Sequence, residues 1–135
     1  KDNAMKYDVE WEYYNPNPAG KRVGDCVIRA ICKATGQDWE TVFSGIMVKA
    51  CMLSDMPSAN YVWGAYLKEK GYRRHMIDDH IQNIYTVADF CTEHQHGTYI
   101  LCIDGHVVCV QDGHIYDTWD SGGEIPIYYW EKNHN

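Results

Sequence analysis

Several features that would place this chain in a familiar class are missing. No apolar run approaches the roughly 20 residues that span a bilayer, and the start carries no signal-peptide pattern. The expectation is a cytoplasmic protein with no membrane partner. No run of Lys or Arg exceeds a pair, and the formal net charge is −7, which argues against nucleic acid as a partner. Repeats, low-complexity tracts and linkers are lacking. None of the six cysteines forms a Cys-x-x-Cys, and several fall at core-facing helix or strand positions, so reduced, buried thiols are expected rather than disulfides. His94-x-His96 has no second ligand pair to complete a zinc site, so no metal and no cofactor are expected.

What is present suffices for one domain over residues 1–135, with 45% apolar residues, eleven Tyr and five Trp. Lys1-Asp2-Asn3-Ala4 reads as an appended remnant ahead of a natural start at Met5. Asn15-Pro16-Asn17-Pro18-Ala19-Gly20 is an extended or turning loop, because each Pro moves its predecessor out of the helical region.

Helices follow. The first is capped by Asp25 or Gly24, runs to about Thr35 and stops at Gly36. The second starts from Asp38 and sets Trp39, Val42, Phe43, Ile46 and Met47 on an apolar face. A third spans about Ser58 to Lys70, and a short fourth about Thr86 to Glu93.

The pattern then changes from helical to strand-like. Tyr99–Ile103, His106–Gln111 and His114–Trp119 read as strands joined by Asp104-Gly105 and Asp112-Gly113, dipeptides suited to two-residue type I′ turns. Ile125–Trp130 reads as a last strand closing the sheet. The predicted class is α+β, with N-terminal helices packed on a C-terminal antiparallel meander.

The second hairpin makes a geometric prediction. A two-residue turn at Asp112-Gly113 pairs Gln111 with His114 and sets Val108 opposite Asp117. His106 then lies opposite Trp119, on the same face as Asp117 and diagonal to it, within side-chain reach. Asp120 has the other parity and falls past the strand end. A one-residue slip would undo this arrangement.

Cys26 opens the first predicted helix, where the positive end of the dipole favours thiolate over thiol. A thiolate there can attack a carbonyl carbon, with His106 as its ion-pair partner and later proton donor, and Asp117 fixing the imidazole tautomer. The oxyanion would be met by the Cys26 backbone N–H and by a loop amide, with Asn17 preferred over Asn15. Each residue also has a plainer reading: Cys26 as a small core residue, His106 as a packed strand residue, Asp117 as a turn residue. Their joint order and parity favour the chemical reading. Cys32, roughly 240° around the helix from Cys26, and Cys109, of opposite parity to His106, read as core. Arg29 reads as structural, pairing with an acidic group or the helix C-terminus, and Asp25 as a cap that could also shape the site.

Gly24-Asp25-Cys26 and Asp117-Thr118-Trp119, in the chain order Cys, His, Asp, resemble elements of the papain-like cysteine peptidase superfamily. They stand where that family has Gly-Ser-Cys and Asn-Ser-Trp. The resemblance covers about residues 15–36 and 97–121 and is nearest to small bacterial or phage-encoded members. Gly20 occupies the position of the family's glutamine, six residues before the nucleophile. The resemblance implies a cysteine peptidase or thiol hydrolase acting on a peptide or isopeptide bond of a peptide or protein substrate. Three alternatives stand beside it: an acyltransferase using the same triad, a non-catalytic host-interaction module on the same fold, and a metal-binding regulator.

Overall fold

A computed structural model describes residues 9–78 and 84–133; the reading of Lys1–Ala4 lies outside the described residues. In chain order the elements are β1 (Trp11–Tyr13), α1 (Cys26–Thr35), α2 (Trp39–Leu53), α3 (Asn60–Glu69), β2 (Tyr72–Met76), α4 (Val87–Glu93), β3 (Thr98–Ile103), β4 (His106–Gln111), β5 (His114–Asp117) and β6 (Pro126–Lys132). The strands form one sheet in the order β1-β5-β4-β3-β6-β2. The class is α+β. Among the described residues, no helix is long and apolar enough to cross a membrane.

The helix boundaries follow from local chemistry. Gly36 ends α1 in the left-handed region, φ 75°, and donates its N–H to Cys32 O. Asp38 caps α2 by accepting from the Thr41 N–H, and Thr86 and Asp89 form a reciprocal capping box at the start of α4. On α2, Val42, Ile46 and Ala50 are buried, whereas Phe43 and Met47 remain 40% and 42% exposed. The expected apolar face is therefore wider than the surface α2 packs against.

Ile100, Cys102, Val107, Cys109 and Trp130 pack beneath α1, α2 and α3. Leu101, Ile103, Val108, Val110 and Ile115 face the other way and enclose Val87, Phe90 and Cys91 of α4. Burial on both faces explains why β3 and β4 are near-continuous apolar runs instead of alternating ones.

Two strands were not anticipated, and they change the sheet. β1 pairs parallel to β5, Trp11 with Ile115 and Tyr13 with Asp117, so the sheet is mixed instead of a simple antiparallel meander. β2 pairs with β6, which places β6 between β3 and β2; the last strand does not close the sheet. β5 also ends at Asp117 rather than Trp119, where the Asp117 carboxylate accepts from the next backbone N–H, that of Thr118, at 2.8 Å.

The register at the second hairpin is as expected: Gln111 pairs with His114, Val110 with Ile115 and Cys109 with Tyr116. Asp112 and Gly113 both have positive φ, 51° and 78°, as a type I′ turn requires. Asp112 is held further by its N–H to Gly97 O at 2.9 Å and its Oδ1 to the Gly97 N–H at 3.0 Å. At the other Asp-Gly pair only Gly105 is left-handed, φ 73°, so that turn is not type I′.

Gly113→Ala forces a Cβ into the left-handed region and brings it within 3.4 Å of Cys91 O. The expected loss is about 1–2 kcal/mol, seen in urea as a lower midpoint with an unchanged m-value.

Candidate active site

Asp117 is 1% exposed at the end of β5, and its carboxylate accepts four hydrogen bonds. Oδ2 takes His106 Nε2–H at 2.6 Å and Ser121 Oγ–H at 3.0 Å. Oδ1 takes Arg29 NH2 at 3.1 Å and the Thr118 N–H at 2.8 Å. The Asp117 backbone carbonyl is held as well, accepting from Tyr14 N–H at 2.9 Å and Trp11 Nε1–H at 3.1 Å. The strand missing from the sequence reading thus positions the carboxylate.

His106 stands at the start of β4. With Nε2 on Asp117, Nδ1 is the ring nitrogen available to Cys26, which lines the same cleft. The Trp119 ring lies over it, centroids 4.9 Å apart and tilted by 41°. Cys26 is the first residue of α1 and half-buried. The structure therefore brings Cys26, His106 and Asp117 together, His106 bonded to Asp117 and sharing the cleft with Cys26.

Opposing effects set the charge states. Burial alone pushes the Cys26 thiol up, but the His106 hydrogen bond, the Val107 backbone N–H and the charges of His106 and Arg29 outweigh it, leaving the thiol below its ordinary value. Burial would also depress His106; the hydrogen bonds and charges of Asp117 and Cys26 prevail and raise it to about 9. Burial raises Asp117, and its bonds to His106, Thr118 and Ser121 with the His106 charge bring it below the usual carboxylate range. The buried thiols behave differently. Cys32 and Cys91 are pushed up to about 12 and Cys109 further still, chiefly by burial.

Asp25 does not cap α1 through its side chain. Its carboxylate turns inward, accepting from Arg29 NH1 at 2.6 Å and from Trp39 Nε1–H at 2.9 Å. Arg29, 6% exposed, links Asp25 to Asp117 and so ties the start of α1 to the end of β5. The Asp25–Arg29 spacing of four residues was the available sequence signal for this pair; its reach to Asp117 depends on tertiary structure.

An open cleft of about 410 Å³ exposes Cys26 and His106 between Arg22, Gly24, Thr118 and Trp119. Arg22, not singled out from sequence, is anchored by NH2 donating to Thr118 O at 3.1 Å. Asn17 is not among the cleft residues. Its Oδ1 instead accepts from Ala19 N–H at 2.9 Å and Lys21 N–H at 3.3 Å, closing its own loop. Among the described residues, one group could hold a metal ion: Glu10, Glu12 and His114, with ligand atoms within 4.8 Å of one another. It lies at the opposite end of β5 from Asp117, and His114 Nδ1 already pairs with Glu12 Oε2 at 3.1 Å.

Comparison of the chain with protein-family models, curated proteins and solved structures finds no match.

Arg29→Leu leaves two buried carboxylates without their shared cation. The expected cost is about 3–5 kcal/mol, measured by chemical denaturation. Arg29→Lys, which keeps the charge but not the two-armed geometry, should fall between this variant and wild type.

Proposed function

We propose that the chain is a thiol hydrolase of papain-like type that cleaves a peptide or isopeptide bond through Cys26, His106 and Asp117. The reading is carried by one observation: a chain of groups runs from a fully satisfied buried carboxylate, through the imidazole it holds at 2.6 Å, to a thiol shifted towards thiolate in the same cleft. A core cysteine has no need of such a chain, and Cys109, fully buried, shows the opposite shift.

The chemistry balances as follows. The Cys26 thiolate attacks the carbonyl carbon, a C–S bond forms, and the carbonyl π pair moves to oxygen. The developing oxyanion meets the Cys26 N–H, which the start of a helix leaves without an intrahelical acceptor. The Arg22 guanidinium, with donors to spare beyond Thr118, is the second group suited to it. On collapse the C–N bond breaks, and the Nδ1 proton of His106 passes to the leaving amine. Water then attacks the thioester while neutral His106 takes its proton. The C–S bond breaks, restoring thiolate and imidazolium. Asp117 holds the ring throughout. A cytoplasmic, reducing setting keeps such a thiol in its working form.

The test is alkylation by iodoacetamide, read cysteine by cysteine by mass spectrometry across the pH range. A thiol lowered from its ordinary value stays thiolate below about pH 8.5, so Cys26 should outpace a free thiol at neutral and mildly acidic pH, its rate declining only as pH falls through the lowered value. His106→Ala removes the leading cause of the lowering and leaves burial unopposed by it. The neutral-pH rate should then drop by about tenfold or more. Alkylation of Cys26 at the pace of an ordinary thiol would end the hydrolase reading.

A further inference from the structure

Cations line the cleft over Cys26, and among the described residues no acidic side chain borders it. In a chain of formal net charge −7 this is a local reversal of sign. Two of the three cations are already committed. Arg29 gives NH1 to Asp25 and NH2 to Asp117, both buried. His106, raised to about 9 and so charged at neutral pH, is held by the Asp117 carboxylate. Arg22 differs. It is exposed, and among the described residues it forms no ion pair. NH2 donates to the Thr118 carbonyl at 3.1 Å, which leaves the N–H donors on NH1 and Nε uncommitted.

The Thr118 anchor fixes where this guanidinium stands. The Thr118 N–H donates to Asp117 Oδ1 at 2.8 Å, and Asp117 Oδ2 holds His106 Nε2–H at 2.6 Å. On the other side of Thr118, the Trp119 ring lies 4.9 Å from that of His106. Arg22 is therefore tied to the residue between the carboxylate that orients the imidazole and the indole that covers it. This is the side of the cleft on which the leaving amine lies, because the imidazole that protonates it has to reach its nitrogen. A guanidinium with free donors there meets what the leaving residue carries. The group that best matches its planar fork is a carboxylate.

We propose that Arg22 selects substrates whose leaving residue bears a carboxylate, either a free C-terminal carboxylate or that of an Asp or Glu side chain. The proposal rests on the thiol-hydrolase reading and narrows its substrate class. The overall negative charge of the chain repels such a substrate at long range, so recognition is local and depends on one side chain rather than on a broad basic surface.

Matched reagents test it on the full chain: N-iodoacetyl-glycine against N-iodoacetyl-glycinamide, and N-iodoacetyl-aspartic acid α-amide against N-iodoacetyl-asparagine α-amide. Each pair exchanges only a carboxylate for an amide, on the main chain in the first and on the side chain in the second. The Cys26 thiolate forms a C–S bond at the methylene carbon and iodide leaves with the C–I electron pair. No oxyanion is built, so an Arg22 that served the oxyanion alone would leave the ratio within each pair unmoved. Rates at Cys26, read by mass spectrometry, are divided by those of β-mercaptoethanol with the same reagent. The expected result is a preference of about fivefold or more for the carboxylate, and the pair that shows it tells the C-terminal carboxylate from the side-chain one. Arg22→Gln, which keeps an N–H for Thr118 O, should bring the ratio close to one. Arg22→Lys, which keeps the charge without the fork, should retain part of it. Lys21→Gln, which removes the same charge from the exposed neighbour, should leave it unchanged. Fast alkylation of Cys26 with no preference in either pair overturns the role of Arg22 and leaves the thiolate reading standing. A preference that survives Arg22→Gln, or that Lys21→Gln removes equally, overturns it as well, because the selectivity then lies elsewhere or in a diffuse field. Alkylation at an ordinary thiol's pace by all four reagents removes the thiolate reading, and the proposal falls with it.

Discussion

The Asp117 carboxylate is the point on which the rest of this molecule turns. A buried carboxylate is tolerated only when its lone pairs are met, and here four donors from four parts of the chain meet them: His106 from β4, Arg29 from α1, Ser121 from the following loop and the adjacent Thr118 amide. Each donor is thereby fixed relative to the others. The helix that presents Cys26 is tied to the strand that presents His106 through this one side chain, and β1 clamps its backbone carbonyl from the far side.

Charge arrangement explains why Cys26 differs in character from the buried thiols. Cys32, Cys91 and Cys109 are buried among apolar residues, where desolvation holds them protonated. Cys26 suffers the same penalty but lies between the imidazole, the Val107 amide and the Arg29 guanidinium. The fold therefore keeps two cations near one sulfur, and it can do so because Asp25 and Asp117 offset them from the side away from the cleft.

Much of this geometry was legible in the residues. Asp112-Gly113 set a register that made His106 and Asp117 diagonal neighbours, because a pleated strand allows only two parities, and Asp38 and Thr86 marked helix starts by their capping chemistry. What escaped was non-local or unpatterned. β1 is three residues long, too short to show a period, and its partner lies across most of the chain at Ile115–Asp117. β2, Tyr72-Arg73-Arg74-His75-Met76, is an edge strand whose exposed charges hide the alternation. Phe43 and Met47 share the helical period of core residues, and only the packing shows that they stay exposed. Asp25 carries the residue type of a helix cap, yet a buried guanidinium four residues on draws it inward. Asn17 has a suitable amide, but its own turn holds it outside the cleft that Cys26 lines.

The central claim is that His106 shifts Cys26 towards thiolate, and the most direct test is to titrate it without a reactive probe. The ultraviolet absorbance of thiolate, followed from acid to alkaline pH, should show in wild type a step below the ordinary thiol value of about 8.5. That step should be missing from Cys26→Ser and displaced upward in His106→Ala. If wild type and Cys26→Ser give the same curve below that value, Cys26 is an ordinary thiol and the account is wrong.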